Sequence, residues 1–250
     1  MSDLPGWFII GAQKSGTTRL YGLLAQHPSL QVSSSKEPMF FSRDEAWLHP
    51  HDFAERDVPF NWENEKIDLD KNYLGKYFPE SSCGRMRGEA STSYLPSMVA
   101  PQRIYALNQD AKIIVLLRHP VYRAYSAYCM YQRDGCSTRD LEEHLRYEGG
   151  LTLRMGHYVE HLERWLGIFP RKQILVIAYE DFCKNETFIM REIEGFIGLT
   201  PFVYDPRVAN NGANYPDMNP EIFLKLLAYY KIQNKNLDNL LGQDITCFWW

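Results

Sequence analysis

A strand, a short loop bounded by glycines and a helix follow one another near the start of the chain. The apolar run Trp7–Ile10 predicts a buried strand, and apolar residues recur at helical spacing in Leu20–Leu24. Between them lies Gly11–Thr18, with the sequence GAQKSGTT. A loop that opens directly into a helix offers backbone N–H groups to an anion. This segment therefore predicts a site that holds a phosphate-like group.

The glycine spacing of this loop is that of a P-loop, but its residue types are not those of a nucleotide triphosphatase. Such an enzyme keeps a lysine where this chain has Thr17, and the only lysine of the segment is Lys14. It also keeps an acidic magnesium ligand at the end of a later strand, where this chain has Arg118. Both differences indicate an anion site that works without a metal ion, so we expect no metal cofactor. A P-loop kinase or NTPase is the alternative enzyme class.

Apolar runs with the length of buried strands alternate with segments of helical periodicity along the chain. The apolar runs predict strands at Phe8–Ile10, Ile113–Leu117 and Ile174–Ile177, and two short extended pieces are expected at Leu30–Val32 and around Met86–Glu89. Helices are predicted at Arg19–Gln26, Val99–Leu107, Val121–Tyr131, Leu153–Ile168 and Phe188–Ile197, with one or two closing helices over 220–241. This alternation predicts an α/β fold of three layers, in which helices cover both faces of a central parallel sheet. The 250 residues, 45% of them hydrophobic, are expected to form one domain over 1–250.

Charge and cysteine content exclude several classes of protein. The net charge of −4 argues against a general binder of nucleic acid or of an anionic membrane. No stretch reaches about 18 consecutive apolar residues, so we expect a cytoplasmic protein without a membrane span. The five cysteines form no Cys-x-x-Cys pair, which disfavours a zinc site or a disulfide framework.

An acidic segment from 42 to 72 differs in composition from the rest of the chain. It carries nine acidic and four basic residues. A solvated surface insertion is one interpretation of such a charge run. The other interpretation is a lid on the acceptor side that repels polyanions.

A second group of candidate residues follows the predicted strand Ile113–Leu117. Arg118 comes directly after the strand, and Arg123 and Ser126 lie three residues apart in the next predicted helix. Residues at this spacing share a face of a helix, so their guanidinium and hydroxyl are expected to converge on one phosphate. Together with the first loop, this arrangement predicts two separate anion-binding segments in one protein.

The two segments resemble those of sulfotransferases that use 3′-phosphoadenosine 5′-phosphosulfate (PAPS). Lys14–Thr18 resembles their 5′-phosphosulfate loop, and Arg118–Tyr128 resembles their 3′-phosphate motif. Lys36–Phe41 and Gly88–Ser91 further resemble the branch that contains the heparan sulfate sulfotransferases and their bacterial relatives. The resemblance runs through most of the chain. It implies a P-loop-like sulfotransferase fold, PAPS as donor and 3′-phosphoadenosine 5′-phosphate (PAP) as product.

The resemblance also implies a role for each matching residue. The implied nucleotide contacts are Lys14, Ser15, Gly16, Thr17, Thr18, Arg118, Arg123 and Ser126, together with Asn211 and Gly212 in the segment that matches a closing loop. The implied acceptor contacts are Lys36, Phe41, Glu89, Ser91 and Tyr158. In catalysis, Lys14 is implied to neutralise charge on the leaving phosphate oxygen, and Glu37 to accept the proton of the acceptor.

The role of Glu37 as the base has alternatives. An ordinary glutamate is a weak proton acceptor, and the neighbouring Lys36 is typical of a surface ion pair. A histidine serves as base in the other large sulfotransferase branch, which makes the seven histidines competitors, with His49 and His51 in the acidic segment among them. The non-enzyme alternative is a nucleotide-binding module that has lost catalysis.

Three departures from the heparan-modifying relatives bear on the acceptor. Ala90 and Asn211 stand where those relatives have or often have lysine, and Met39 stands where some have histidine. These losses, together with the acidic segment, disfavour a polyanionic polysaccharide. We expect a small neutral or cationic acceptor and no nucleic-acid partner. Whether the protein forms a homodimer is left open.

Overall fold

The computed structural model describes residues 4–45, 70–147, 149–207 and 215–249. The strands are β1 Trp7–Gly11, β2 Leu30–Val32, β3 Met86–Ala90, β4 Lys112–Leu117 and β5 Ile174–Ala178. The α-helices are α1 Thr17–Leu24, α2 Gly75–Tyr77, α3 Ala100–Leu107, α4 Pro120–Arg133, α5 Leu141–Tyr147, α6 Gly149–Arg154, α7 Tyr158–Leu166, α8 Tyr179–Lys184, α9 Glu186–Ile197, α10 Pro220–Gln233 and α11 Leu237–Leu241. Single 3₁₀ turns lie at Phe40–Ser42, Arg171–Gln173 and Thr246–Phe248, and a π-helical turn at Asp70–Leu74. Most of the acidic segment falls outside the described residues.

The five strands form one parallel sheet in the order β2-β3-β1-β4-β5. β1 lies at its centre, is buried along its whole length, and pairs with β3 on one side and β4 on the other. Because all strands run in the same direction, their carboxyl ends meet at one edge of the sheet. That edge carries the Gly11–Thr18 loop after β1, Ser91 after β3 and Arg118 after β4. The predicted α/β fold with a central parallel sheet is confirmed.

Hydrophobic residues on the two faces of the sheet pack into two separate cores. Phe8 and Ile10 of β1 face a core that includes residues of α3, α7 and α11, whereas Trp7 and Ile9 face a core that includes residues of α1 and α9. At Gly88 of β3, a Cβ atom would lie 2.1 Å from the ring of Trp7, so only glycine leaves room for the indole. Helices on both faces give the three layers predicted from the alternation of elements.

The predicted extent of one helix is wrong. The helix predicted over Leu153–Ile168 is two helices, α6 and α7, separated at 155–157. A Cβ atom on Gly156 would lie 2.6 Å from Cε1 of Tyr230, so α10 approaches the break closely. Asn234 stabilises the start of α7, because its Oδ1 accepts from the amide of Tyr158 at 2.9 Å. The break therefore depends on contacts with a distant part of the chain.

The remaining predicted strands and helices are confirmed with small shifts at their ends, and the closing segment is two helices, α10 and α11. Within the described ranges, no helix has both the length and the apolar composition needed to cross a membrane.

Candidate active site

The loop between β1 and α1 has the geometry of an anion site. Gly16 takes a left-handed conformation (φ 82°) before α1, and a Cβ atom there would lie 2.8 Å from the ring of Tyr179. The first amides of a helix have no partner within the helix. The hydroxyl of Ser15 is buried and has no hydrogen-bond partner among the described residues. A buried hydroxyl beside the first-turn amides fits a bound phosphate or sulfate group.

The other predicted residues of this loop differ in their surroundings. Thr17 is buried, whereas Thr18 is exposed. Lys14 is half-buried, and its ammonium lies 3.7 Å from the sulfur of Met130 in α4. The lysine therefore reaches from the first loop towards the helix that follows β4.

Arg118 connects the first loop with the end of β4. One of its terminal nitrogens donates to the carbonyl of Lys14 at 3.1 Å. Its guanidinium carbon lies 5.0 Å from the ring centre of Tyr179, within the range of a cation–π contact. Tyr179 thus lies against both Arg118 and Gly16. The structure brings the two predicted anion-binding segments together at one edge of the sheet.

The two polar residues predicted on α4 have different partners. The hydroxyl of Ser126 lies 3.1 Å from the hydroxyl of Tyr215. Arg123 is fully buried, and one of its terminal nitrogens donates to the carbonyl of Thr152 in α6. The other two guanidinium nitrogens of Arg123, Nε and Nη1, are buried and have no hydrogen-bond partner among the described residues. That Arg123 and Ser126 converge on one phosphate therefore stays a prediction. The predicted nucleotide contacts Asn211 and Gly212 lie outside the described residues.

Glu37 lies in the loop after β2 and is held by the segment after β3. Its amide donates to the carbonyl of Ala90 at 2.8 Å, and its Oε2 accepts from the amide of Thr92 at 2.7 Å. The hydroxyl of Thr92 adds a second bond to Oε2 at 3.2 Å. Lys36 forms an ion pair with the same carboxylate, and 20% and 22% of the Lys36 and Glu37 side chains are exposed. The carboxylate is therefore both fixed in orientation and open to solvent.

Glu89 is fully buried at the end of β3 and is the centre of a hydroxyl network. Its carboxylate accepts from Tyr73 at 2.5 Å, from Ser91 at 2.8 Å and from Tyr94 at 3.1 Å. Burial raises the pKa of Glu89 to about 7; the three hydroxyls oppose this rise and the charge of Glu37 adds to it. Glu89 and Ser91 both lie in the interior. Their contact with the acceptor stays a prediction.

Phe41 and Tyr158 are also interior residues, and their contact with the acceptor stays a prediction. Phe41 is 1% exposed. Among the described residues, its ring packs against those of Phe8, Phe40, Tyr73 and Tyr94. Tyr158 is fully buried, and its hydroxyl donates to the carbonyl of Arg118 at 2.7 Å. Tyr158 therefore supports the strand end that carries Arg118.

The described histidines make structural contacts. His119 accepts from a backbone amide at the start of α4, and burial lowers its pKa to about 4. His161 is buried in α7 beside a backbone carbonyl, and burial lowers its pKa to about 4 as well. The others bond to protein groups too: His27 to Thr200, His144 to Ser137 and Thr152, and His157 to Tyr229. His49 and His51 lie outside the described residues.

The part of the chain that the structure describes contains no group of three or more His, Cys, Asp or Glu side chains that could hold a metal ion. A donor site that works without a metal stays a prediction.

Two residues at this edge are not assigned a role by the sequence analysis. Tyr179 directly follows β5, so its position at the carboxyl end of a parallel strand is the signal that marks it. Thr92 binds Glu37 through its backbone amide, which almost any residue type supplies. No sequence signal identifies that contact.

Comparison with known proteins gives one family. A model described as the sulfotransferase family matches residues 5–203. The chain is 29% identical to bifunctional heparan sulfate N-deacetylase/N-sulfotransferase 2 of Bos taurus, over 96% of this chain and 30% of that protein. It is 25% identical to heparan sulfate glucosamine 3-O-sulfotransferase 3B1 of Homo sapiens, over 97% of this chain and 64% of that protein. The chain thus spans about a third to two thirds of the length of these relatives.

Solved structures show the same fold. A sulfotransferase from Alicyclobacillus acidocaldarius superposes with a TM-score of 0.78 at 28% identity, and the match covers 98% of each chain. A mouse sulfotransferase, SULT7A1, solved in complex with PAP, superposes with a TM-score of 0.53 at 18% identity, over 96% of this chain and 84% of that one. The second likeness concerns the fold alone.

Proposed function

Because the chain belongs to the sulfotransferase family, we propose that it transfers the sulfuryl group of PAPS to a hydroxyl or amine of an acceptor and releases PAP. The observation that carries this proposal is the bond between Arg118 and the carbonyl of Lys14. It puts a cation of the proposed 3′-phosphate segment beside the loop proposed to hold the 5′-phosphate. A donor with phosphate at both positions of one nucleoside needs two such segments side by side. We further propose that residues 1–250 form one catalytic domain.

The first loop and α4 are proposed to hold the donor at its two ends. The first-turn amides of α1 and the side chains of Ser15, Thr17 and Thr18 take the 5′-phosphate. The buried, unpartnered hydroxyl of Ser15 supports this assignment, because a buried hydroxyl without a partner is unfavourable until a ligand satisfies it. Arg118 and Ser126 take the 3′-phosphate. The PAP complex of the mouse sulfotransferase, which has the same fold, agrees with this choice of donor.

Two charged residues are proposed to act on the reaction itself. PAPS, when bound, supplies an activated sulfuryl group. Lys14 offsets the negative charge that develops on the 5′-phosphate as the bond between sulfur and the phosphate oxygen breaks. Glu37 takes the proton that the acceptor oxygen or nitrogen loses as its bond to sulfur forms. The amide of Thr92 fixes the carboxylate of Glu37 before the acceptor binds, so little reorganisation is needed.

The acceptor is proposed to be a small neutral or cationic compound that contacts Lys36. The names of the two curated relatives refer to heparan sulfate. This chain has Ala90 and Met39 at positions where such relatives carry lysine or, in some, histidine, and an acidic segment over 42–72. A polyanion would meet less positive charge here and more repulsion. Faster turnover on a heparan-type polymer than on small hydroxyl and amine compounds would contradict this assignment.

Transfer of radioactive sulfur from labelled PAPS to a panel of hydroxyl and amine compounds tests the activity and the base together. Glu37→Gln keeps the shape of the side chain but removes the proton acceptor. We expect it to lower kcat by about 100-fold or more, while PAP affinity measured by calorimetry stays within about twofold. Glu143→Gln, at an exposed glutamate of α5, is the matched control and should have no effect.

Two results would change the proposal. Turnover of Glu37→Gln at the wild-type rate would mean that another group is the base. Binding of PAP by the wild-type protein, with no transfer to any compound, would favour a nucleotide-binding module without catalysis.

A further inference from the structure

Two hydroxyl groups after β3 hold the loop that carries Glu37. The amide of Met39 donates to Oγ of Ser91 at 2.9 Å. The amide of Phe41 donates to the hydroxyl of Tyr94 at 3.4 Å. Both hydroxyls therefore act as hydrogen-bond acceptors for the backbone of this loop.

The buried carboxylate of Glu89 explains why these hydroxyls are oriented as acceptors. A hydroxyl has a single hydrogen, and the hydrogens of Ser91 and Tyr94 are directed to Glu89, at 2.8 Å and 3.1 Å. Their lone pairs are then left for the amides of Met39 and Phe41. Each chain of bonds runs from a loop amide through a hydroxyl to the same carboxylate.

The loop needs such support because its backbone is in an unfavourable conformation. Glu37 and Met39 have φ values of 60° and 52°, in the left-handed region that residues other than glycine avoid. Backbone in this region persists only where surrounding contacts hold it. The amide of Glu37 is held by Ala90, the last residue of β3, and the amide of Met39 by Ser91, the residue after it.

We infer that Glu89 is a positioning residue: its carboxylate orients Ser91 and Tyr94 so that they hold the 37–41 loop, and with it Glu37, in the left-handed conformation. This inference rests on the proposed role of Glu37 as the base. Glu89 itself is fully buried, so in this proposal it acts through the two hydroxyls and not by contact with donor or acceptor.

The strength with which the 37–41 loop is held is expected to depend on pH, because Glu89 can be protonated. The groups that face it are the hydroxyls of Tyr73, Tyr94 and Ser91 and, at longer range, Glu37 and Tyr21. Burial raises the pKa of Glu89 to about 7. Once protonated, the carboxyl becomes a donor at one oxygen, so one of the three hydroxyls must accept from it instead of donating. Two of the three, those of Ser91 and Tyr94, also accept from loop amides, and a change in their orientation weakens those bonds. The loop is therefore expected to be held less firmly below about pH 7 than above it.

A matched pair of variants separates positioning from simple loss of a buried bond. Ser91→Ala and Tyr73→Phe each remove one hydroxyl bound to Glu89. Of these two hydroxyls, only that of Ser91 also accepts from a loop amide among the described contacts. We expect Ser91→Ala to speed hydrogen exchange of the Met39 amide by at least tenfold and to lower kcat by at least tenfold. At about pH 9, where Glu89 is expected to be ionised in the wild-type protein and in both variants, Tyr73→Phe should change neither by more than about twofold.

Glu89→Gln tests the carboxylate directly and also serves if Ser91→Ala does not fold. Its amide group can accept at one atom only, so exchange at Met39 should again rise by at least tenfold with PAP affinity unchanged. The inflection near pH 7 expected in the wild-type profile of kcat/KM should be absent in this variant.

Equal exchange and equal kcat in Ser91→Ala and Tyr73→Phe would overturn the inference, as would a Glu89→Gln protein with wild-type exchange and an unchanged pH profile. A result showing that Glu37 is not the base can be distinguished from a failure of this inference. In that case Glu37→Gln retains turnover, whereas the exchange measurements on the other variants still decide whether Glu89 positions the loop.

Discussion

At the scale of single residues, Arg118 has the most informative contacts. A guanidinium offers five N–H donors, and the carbonyl of Lys14 uses one of them. The ring of Tyr179 lies against the guanidinium and restricts its position. An arginine held in this way has donors left for a phosphate without a large loss of side-chain entropy on binding.

Glu89 gives a prediction about stability and pH. Its pKa is raised to about 7 in the folded protein, against an ordinary value of 4.5. The folded state therefore binds the Glu89 proton more tightly than the unfolded state does. The resulting contribution to the free energy of unfolding is fully present below about pH 4.5 and is lost as the pH rises through about 7. Linkage gives an upper limit of about 3 kcal/mol for this loss.

Urea unfolding of the wild-type protein and of Glu89→Gln at pH 5 and pH 8 measures that loss. We expect the free energy of unfolding of the wild-type protein to fall relative to that of the variant between the two pH values. Parallel pH dependence of the two proteins would show that Glu89 titrates in the ordinary range.

Residue roles could be predicted from the sequence only where a residue's place along the chain determines its surroundings. Arg118 directly follows a strand, and its position at the carboxyl edge follows from the sheet. Arg123 lies within the same motif, but its side chain faces α6, and the packing of α6 on α4 is not visible in a local pattern. Burial of Phe41 and Tyr158 has the same cause, because aromatic residues suit a binding site and a core equally well.

At the scale of elements, strands were predictable and one helix boundary was not. Three of the strands, β1, β4 and β5, are short and predominantly apolar runs, a pattern that survives in any tertiary context. The break between α6 and α7 depends on Tyr230 and Asn234 of α10 and its end. Helical periodicity continues across the break, so the sequence alone favours one long helix.

Gly156 is therefore predicted to be required at this break. Gly156→Ala places a Cβ atom 2.6 Å from the ring of Tyr230 and should lower the free energy of unfolding by about 1–3 kcal/mol. Gly150→Ala, in α6 with no atom within 4 Å of its Cβ position, is the matched control. It should be neutral or stabilising by up to about 1 kcal/mol. Equal effects of the two substitutions in urea unfolding would contradict the close approach of α10.

At the scale of the whole molecule, contacts from distant segments converge on the edge of the sheet that carries the candidate site. Glu180, at the start of α8, accepts from the amide of His119 at 2.9 Å and from the indole of Trp249 at 3.0 Å. Glu180 thereby links His119, the residue after Arg118, to Trp249, the last described residue of the chain. Tyr215 adds a further contact at Ser126. The site is thus supported by elements from both halves of the sequence.

The fold and the sulfotransferase family were predictable because they depend on short motifs at strand ends. The acceptor was not, because its contacts come from loops whose packing the motifs do not determine. Four of the five predicted acceptor contacts are interior residues, and only Lys36 keeps an accessible position beside Glu37.

Calorimetric titration with PAP, compared with ATP plus magnesium, tests the proposed function most directly. We predict tight binding of PAP, much weaker binding of ATP with magnesium, and a loss of PAP affinity of about tenfold or more in Arg118→Ala. Arg133→Ala, an exposed arginine at the end of α4, should bind PAP as the wild-type protein does. Preference for ATP with magnesium, or PAP affinity that Arg118→Ala leaves unchanged, would contradict the assignment of this site to PAPS.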